Sequence, residues 1–174
     1  AQRNMLADSA VKGLFVSDDY RGAALDQFLD LPSIRSELRF ALERACDLFS
    51  DHRVWAAQFP TASPNIQMAH DEEYDILYSS GTTGMPKGII HSHLARHLLI
   101  AGTQAMDFEG ATVLTSTPLY SNTTITTWWP SVWVGATQII MRKFNAERAN
   151  ELIRDYQVTH AMLVPVQYPR LRDA

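Results

Sequence analysis

The feature that most constrains this chain is an eleven-residue segment rich in hydroxyl groups and glycine. It reads Tyr78-Ser79-Ser80-Gly81-Thr82-Thr83-Gly84-Met85-Pro86-Lys87-Gly88. Its glycines allow positive φ and let the backbone approach a ligand closely, and its four Ser and Thr hydroxyls are donors for phosphate oxygens. Successive amides in such a turn form an anion-binding concavity. Pro86 stiffens the loop before Lys87, whose ammonium supplies a point charge. The segment therefore predicts a loop that binds a mobile polyphosphate.

This loop differs from the other common phosphate loop of proteins. A Walker loop needs Gly, four residues and then Gly-Lys-Ser/Thr, whereas here Pro86 precedes Lys87 and Gly88 follows it. The alternative is a plain surface turn, because Ser, Thr and Gly are common in turns. Eleven ordered positions that end in Pro-Lys-Gly favour phosphate binding.

Strand and helix patterns alternate from residue 74 onward. We expect strands at 74–79, 88–91, 112–118, 137–141 and 160–164, and helices at 93–106, 123–134 and 146–156. This alternation predicts an α/β fold with a largely parallel sheet and helices on its faces. Ligands of such sheets bind beyond the carboxyl ends of the strands, and the Ser/Thr/Gly loop follows a strand end.

The first third of the chain gives weaker signals. We expect a strand at 10–16, helices at 21–29 and 36–49, and a loop at 59–65. The helix at 36–49 rests on apolar residues at helical spacing, which are Leu38, Ala41, Leu42, Ala45 and Phe49. Cys46 lies on this predicted helix with no cation nearby, so we expect a buried, inert thiol.

Composition excludes several classes of protein. The 174 residues carry a net charge of −4 without a basic run, so nucleic acid and anionic membranes are not expected partners. The apolar runs are too short for a transmembrane segment. A single cysteine allows no internal disulfide, which fits a reducing, cytoplasmic location. The chain begins without Met and ends directly after a predicted helix start, so we expect an internal fragment.

The loop resembles the signature of the adenylate-forming superfamily, which includes acyl-CoA synthetases, peptide-synthetase adenylation domains and luciferases. That pattern is aromatic, Ser/Thr, Ser/Thr, Gly, Thr/Ser, Thr, Gly, any, Pro, Lys, Gly, and every position matches. Later segments are also similar to the family and fall in its order: His91-Ser92-His93, Thr117-Pro118-Leu119-Tyr120, Gly135-Ala136-Thr137, Phe144, Val158-Thr159-His160 and Val164-Pro165. The likeness covers about residues 74–172 and is weaker over 1–60. It implies that residues 1–174 are part of the large N-terminal domain, with the C-terminal domain absent.

The resemblance also implies a reaction. ATP and a carboxylic acid give an acyl-adenylate and pyrophosphate, and acyl-CoA ligases then pass the acyl group to coenzyme A. The implied ATP-binding residues are Ser79, Ser80, Gly81, Thr82, Thr83, Gly84 and Lys87. A Mg²⁺ bridging the phosphates is implied, with Ser79 as a candidate ligand. The alternatives are a peptide-synthetase adenylation domain and a non-enzymatic phosphate-binding or interaction domain.

Two departures from the family limit this expectation. Many members have His directly after the Pro-Leu-aromatic triplet, where this chain has Ser121. The later motifs are absent, including the adenine- and metal-binding Glu segment, the ribose-binding Asp and the C-terminal catalytic Lys. We therefore expect the chain alone to be inactive, and its catalytic residues stay unknown.

Other residues have both a functional and a structural interpretation. His93 and His97 are four apart on a predicted helix and lie near His91, but no third ligand has suitable spacing, so a helix start is favoured over a metal site. The tryptophans of the helix at 123–134 fit either a wall of the acyl pocket or core packing; they are Trp128, Trp129 and Trp133.

Overall fold

A computed structural model describes residues 2–80 and 86–174 of the chain, without the side chains of residues 23–26, 80 and 104. It divides into two compact units. The first comprises residues 1–67 and 78–89, and the second comprises residues 68–77 and 90–174.

The first unit contains a small parallel sheet with helices. Its elements are α1 (Gln2–Asp8), β1 (Leu14–Val16), α2 (Asp18–Gln27), β2 (Arg39–Ala41), β3 (Ser50–Asp51) and α3 (His52–Ala56). The strand order is β1-β2-β3, and both pairings are parallel. The core of this unit is a cluster of apolar side chains: Val16, Phe28, Leu31, Ile34, Ala41 and Phe49. The strand predicted at 10–16 and the helix predicted at 21–29 are confirmed with shifted ends.

The helix predicted at 36–49 is wrong. Residues Ser36–Leu38 form a single 3₁₀ turn, β2 follows, and the chain then runs irregularly to β3. Because β2 is the central strand, with Phe15 opposite Phe40 on one side, its neighbours decide its conformation. Phe40 and Ala41 are successive residues that are both buried, as expected where both faces of a strand are covered. Tertiary pairing here outweighs a short helical period.

The prediction for Cys46 is also wrong, because the thiol is exposed. Cys46 forms an isolated antiparallel bridge with Phe49, and each residue donates its backbone N–H to the carbonyl oxygen of the other, at 2.9 and 3.0 Å. This tight turn directs the Phe49 ring into the core and leaves Cys46 at the surface.

Two longer strands, β4 (Glu73–Ser80) and β5 (Pro86–Ser92), pair as a two-stranded sheet. They confirm the strands predicted at 74–79 and 88–91. A helix, α4 (His93–Gly102), follows β5 directly. The helix predicted at 93–106 ends early, because residues 104–106 form a 3₁₀ turn.

The second unit is built on a parallel sheet. Its remaining elements are β6 (Thr112–Thr115), α5 (Asn122–Trp133), β7 (Thr137–Ile140), α6 (Ala146–Asp155), β8 (His160–Met162) and α7 (Gln167–Asp173). The strand order is β7-β6-β8. Val113 of the central strand packs with Phe108 and Ala111, while Leu114 packs against Ala149 and Leu152 of α6. Both faces of β6 are therefore covered, and the α/β fold with parallel sheets is confirmed.

Within residues 2–80 and 86–174, no helix has the length and apolar character needed to cross a bilayer.

Candidate functional site

The predicted phosphate loop connects β4 to β5. Ser79 and Ser80 are the last residues of β4, and Pro86, Lys87 and Gly88 are the first of β5. Residues 81–85, which contain the predicted Gly81, Thr82, Thr83 and Gly84, lie outside the described residues. The ligand set as a whole therefore stays a prediction.

The described residues at the edges of the loop are open to solvent. The side chains of Ser79 and Lys87 are exposed. Neither has a hydrogen bond or ion pair within the part of the chain that the structure describes. An exposed hydroxyl and an uncompensated ammonium at the two ends of one loop are available to an anionic ligand.

Tyr78 fixes the strand end that leads into the loop. Its hydroxyl donates to Asp8 Oδ2 at 2.7 Å and lies 3.1 Å from the carbonyl oxygen of Met5, both in α1. Burial raises the pKa of the Tyr78 phenol, and the hydrogen bond to Asp8 raises it further. The end of β4 is thereby connected to a helix about seventy residues earlier in the chain.

A charged cluster joins β4, β5 and α4. The Arg96 guanidinium on α4 donates to both carboxylate oxygens of Asp75 on β4, from Nε at 2.8 Å and from Nη2 at 3.0 Å. His91 of β5 places Nδ1 2.8 Å from Asp75 Oδ1. The third guanidinium nitrogen, Nη1, donates to Asn122 Oδ1 at 3.2 Å. Arg96 is only 5% exposed, so these partners satisfy a charge that water does not reach.

Aromatic rings lie next to this cluster. The Tyr74 ring contacts His93 and Trp129 edge-on, with centroids 4.9 Å apart in both cases. Burial raises the pKa of Tyr74, and the neighbouring Asp75 charge adds to the rise.

Ser92 caps α4, because its hydroxyl accepts a hydrogen bond from Ala95 N at 3.2 Å.

The three histidines considered as metal ligands have different surroundings. His91 contacts Asp75, His93 packs on an aromatic ring, and His97 is exposed on α4. Among residues 2–80 and 86–174, no three His, Cys, Asp or Glu side chains are grouped as a metal site requires.

The carboxyl edge of the parallel sheet carries buried hydroxyls. Ser116 and Thr117 follow β6 and are both buried. Thr124 of α5 places its hydroxyl 2.7 Å from both Thr117 Oγ1 and the Pro118 carbonyl oxygen. Gln167 at the start of α7 reaches Ser116 Oγ from Nε2 at 3.3 Å. These bonds fix the segment after β6 that the sequence analysis singled out.

Ser121 and the three tryptophans considered in the sequence all belong to helix α5 or to its N-terminal cap. Ser121 takes the cap position, without a side-chain cap bond. Trp129 is packed against Tyr74, whereas Trp133 is 70% exposed and lines a cavity of about 260 Å³ with residues of α4, of α5 and of the segment before β6. Trp129 is therefore a packing residue, Trp133 is largely exposed, and a role of these tryptophans in an acyl pocket stays a prediction.

Sequence reasoning missed Asp75, Arg96, Thr124 and Gln167. Arg96 is a charged residue inside an amphipathic helix, a pattern that ordinarily indicates a solvated face. The one available signal in the sequence was Asp75, an acidic residue next to the apolar Ile76 and Leu77 in the strand before the loop, which would need a partner if buried.

Comparison with known proteins gives concordant results. The family model described as AMP-binding enzyme matches residues 1–174. The 2-succinylbenzoate–CoA ligase of Bacillus licheniformis is 34% identical over 110 residues, covering 61% of this chain and 23% of that protein. The fatty acid–[acyl-carrier-protein] ligase ScoC of Streptomyces coeruleorubidus is 29% identical over 174 residues, covering 93% of this chain and 31% of that protein.

Among solved structures, the N-terminal domain of FACL13 from Mycobacterium tuberculosis is similar, with a TM-score of 0.77 at 23% identity. The match covers 99% of this chain and 42% of that one, and it supports the fold. The chain spans less than a third of the length of the two curated relatives.

Proposed function

The chain belongs to the AMP-binding enzyme family, and from this premise we propose that it supplies the ATP-phosphate-binding part of an acid–thiol ligase. In the proposed reaction a carboxylate oxygen attacks the α-phosphorus of ATP, and the bond to pyrophosphate breaks. A thiol sulfur then attacks the acyl carbon, and AMP leaves. The substrate is a small-molecule carboxylic acid, and coenzyme A is the acceptor.

The proposal rests on two exposed side chains at the ends of the loop that are open to an anionic ligand. Ser79 and Lys87 are both exposed, and within the described residues both are free of other hydrogen bonds and ion pairs. Ordered strands lead into and out of the loop, so Ser79 and Lys87 are held at its two ends. Such donors stabilise charge on phosphate oxygens without chemistry of their own, which is the main need of phosphorus-centred transfer.

A magnesium ion fits the same edge. Mg²⁺ prefers oxygen ligands and usually bridges substrate phosphates with one or two protein groups. The Ser79 hydroxyl is an exposed oxygen donor without a competing partner among the described residues. We therefore assign Ser79 as the residue that would contact the ion, which supplies charge neutralisation to the phosphates when bound.

The names of two relatives indicate different acceptors for the acyl group. The relative that aligns over most of this chain, ScoC, is named for an acyl-carrier-protein acceptor, whereas the B. licheniformis relative is named for CoA. A carrier-protein thiol is therefore the alternative acceptor. Incubating an acyl-adenylate-forming preparation of the enzyme with CoA or with a holo-carrier protein distinguishes the two by the thioester formed.

The binding proposal is tested by calorimetry with Mg²⁺ and ATP on the 174-residue chain. Lys87→Ala is expected to weaken binding by about tenfold, the equivalent of one lost charge-assisted contact. Lys143→Ala removes the same charge from an exposed position outside the loop and serves as the matched control. Equal affinities of the two variants would refute the phosphate site.

The isolated chain is expected not to catalyse the reaction. Exchange of labelled pyrophosphate into ATP should stay at background, because the chain lacks the later motifs that bind adenine and ribose. Exchange well above background, abolished by Lys87→Ala, would show that the chain alone suffices.

A further inference from the structure

We propose that a buried water molecule binds between helix α5 and strand β7, held by Thr127, Trp128 and Gln138. The site lies within the second unit and is independent of the phosphate loop. Helix α5 packs on α4 and on the strands β6, β7 and β8, which all belong to that unit.

Three polar side-chain atoms at this place are shielded from solvent and have no hydrogen-bond partner among residues 2–80 and 86–174. They are Thr127 Oγ1, Trp128 Nε1 and Gln138 Oε1. Thr127 as a whole is only 6% exposed. Buried polar atoms without a partner are rare in folded proteins, because each has lost its hydrogen bonds to solvent without replacement. Three such atoms in one neighbourhood indicate that a further molecule supplies the missing partner.

A short series of hydrogen bonds brings the three residues together. Thr127 and Trp128 lie four and three residues before Ser131 on α5, so they share one side of a helical turn with it. Gln138 of β7 reaches the same turn, because its Nε2 donates to Ser131 Oγ at 2.9 Å. The Ser131 hydroxyl donates in turn to the Trp128 carbonyl oxygen at 2.8 Å.

The hydrogen-bonding capacity of these atoms selects the kind of molecule that can bind. Ser131 Oγ gives its hydrogen to Trp128, so it accepts from the Gln138 amide and leaves Gln138 Oε1 for another donor. Trp128 Nε1 is a donor only, so the bound molecule must accept one hydrogen bond and donate another. An anion cannot donate, an ammonium ion cannot accept, and either charge would be costly at a buried site. A hydroxyl group meets both demands.

Water is the hydroxyl compound that fits three partners. Buried waters in globular proteins typically make about three hydrogen bonds to polar groups that have no other partner. Thr127 Oγ1 can donate or accept, so it takes the role that Trp128 Nε1 and Gln138 Oε1 leave open.

The helix itself is open at this turn. Pro130 lies inside α5 and has no N–H, so the carbonyl oxygen of Thr126 loses its helical donor. A turn that lacks a backbone hydrogen bond is a place where water inserts into a helix. The bound water therefore joins α5 to β7 at the point where the helix is weakest.

Thermal unfolding of the 174-residue chain tests the site through the sign of one substitution. Thr127→Val keeps the shape of the side chain and removes its hydroxyl. With water bound, the variant loses a hydrogen bond, and we expect its Tm to fall by about 3 °C. With no water bound, the substitution removes an unpaired buried hydroxyl and raises the Tm.

Thr126→Val is the matched control on the same helix. Its hydroxyl donates to the Thr123 carbonyl oxygen at 2.7 Å, near the surface. The Tm of this variant should change by less than about 1.5 °C.

A crystal structure of the wild-type chain gives a second measurement that does not depend on the folding of a variant. We expect a compact density peak within about 3 Å of both Trp128 Nε1 and Gln138 Oε1. An extended peak would show that a small alcohol is bound instead, which overturns the assignment of water. Absence of a peak, or a Thr127→Val variant with an unchanged or higher Tm, overturns the site as a whole.

Discussion

Replacing Thr124 by Val tests how the segment after β6 is held. Thr124 is 1% exposed, and its hydroxyl lies 2.7 Å from both the Pro118 carbonyl oxygen and Thr117 Oγ1. Valine has nearly the same shape and a similar helix propensity, so the substitution changes little except the hydroxyl. Its effect therefore reports on the two hydrogen bonds.

The expected loss follows from burial. A net hydrogen bond contributes about 1 kcal/mol, and a buried hydroxyl left without its partner costs about 1–3 kcal/mol. Because Thr117 is itself buried, we expect Thr124→Val to lower the free energy of unfolding by about 2 kcal/mol. For a chain of this length that is a fall in Tm of about 6 °C.

The assay is urea denaturation followed by tryptophan fluorescence, with Thr126→Val as the matched control. Thr126 lies on the same helix, and its hydroxyl donates to the Thr123 carbonyl oxygen at 2.7 Å, near the surface. Its loss should cost less than about 0.5 kcal/mol. Removing both hydroxyls in Thr117→Val with Thr124→Val should recover part of the loss. Equal costs for Thr124→Val and Thr126→Val would refute the reasoning.

Two further predictions concern the sheet and the loop. Leu114→Ala should lower the free energy of unfolding by about 3 kcal/mol or more, because Leu114 is fully buried against α6, and chemical denaturation measures it. The raised pKa of Tyr78 means that the fold favours the neutral phenol, so its contribution to stability is full below about pH 10 and is lost at higher pH. Tyr78→Phe should therefore show a smaller fall in stability from about pH 9 to about pH 11 than the wild type, and an equal fall would contradict the contact with Asp8.

The sequence predicted the second half of the fold well because local and tertiary preferences agree there. In α6, Leu152 and Ile153 lie three and four residues after Ala149, which is helical spacing, and all three pack in one cluster with Leu114 of the sheet. The strand at 112–118 ends instead at Thr115, because Ser116 and Thr117 turn their hydroxyls to α5 and α7. The end of a strand therefore depends on hydrogen-bond partners that are distant in sequence.

In the first third of the chain, local and tertiary preferences disagree. Apolar residues at 38–49 have helical spacing, but β2 is held between two parallel strands and Phe49 turns into the core through its bridge with Cys46. A short apolar run is compatible with helix or strand, and the neighbours decide which forms.

The sequence by itself determined which family the chain resembles, because hydroxyls, glycines and Lys87 follow one another in one continuous segment, and it predicts that this segment binds phosphate. Only the tertiary structure revealed how the flanking strands are held. Arg96 meets Asp75 across 21 residues and Asn122 across 26. A local pattern can specify which groups bind an anion, but the burial and partners of a charge are set by the fold, because they come from segments that the chain brings together only when it packs.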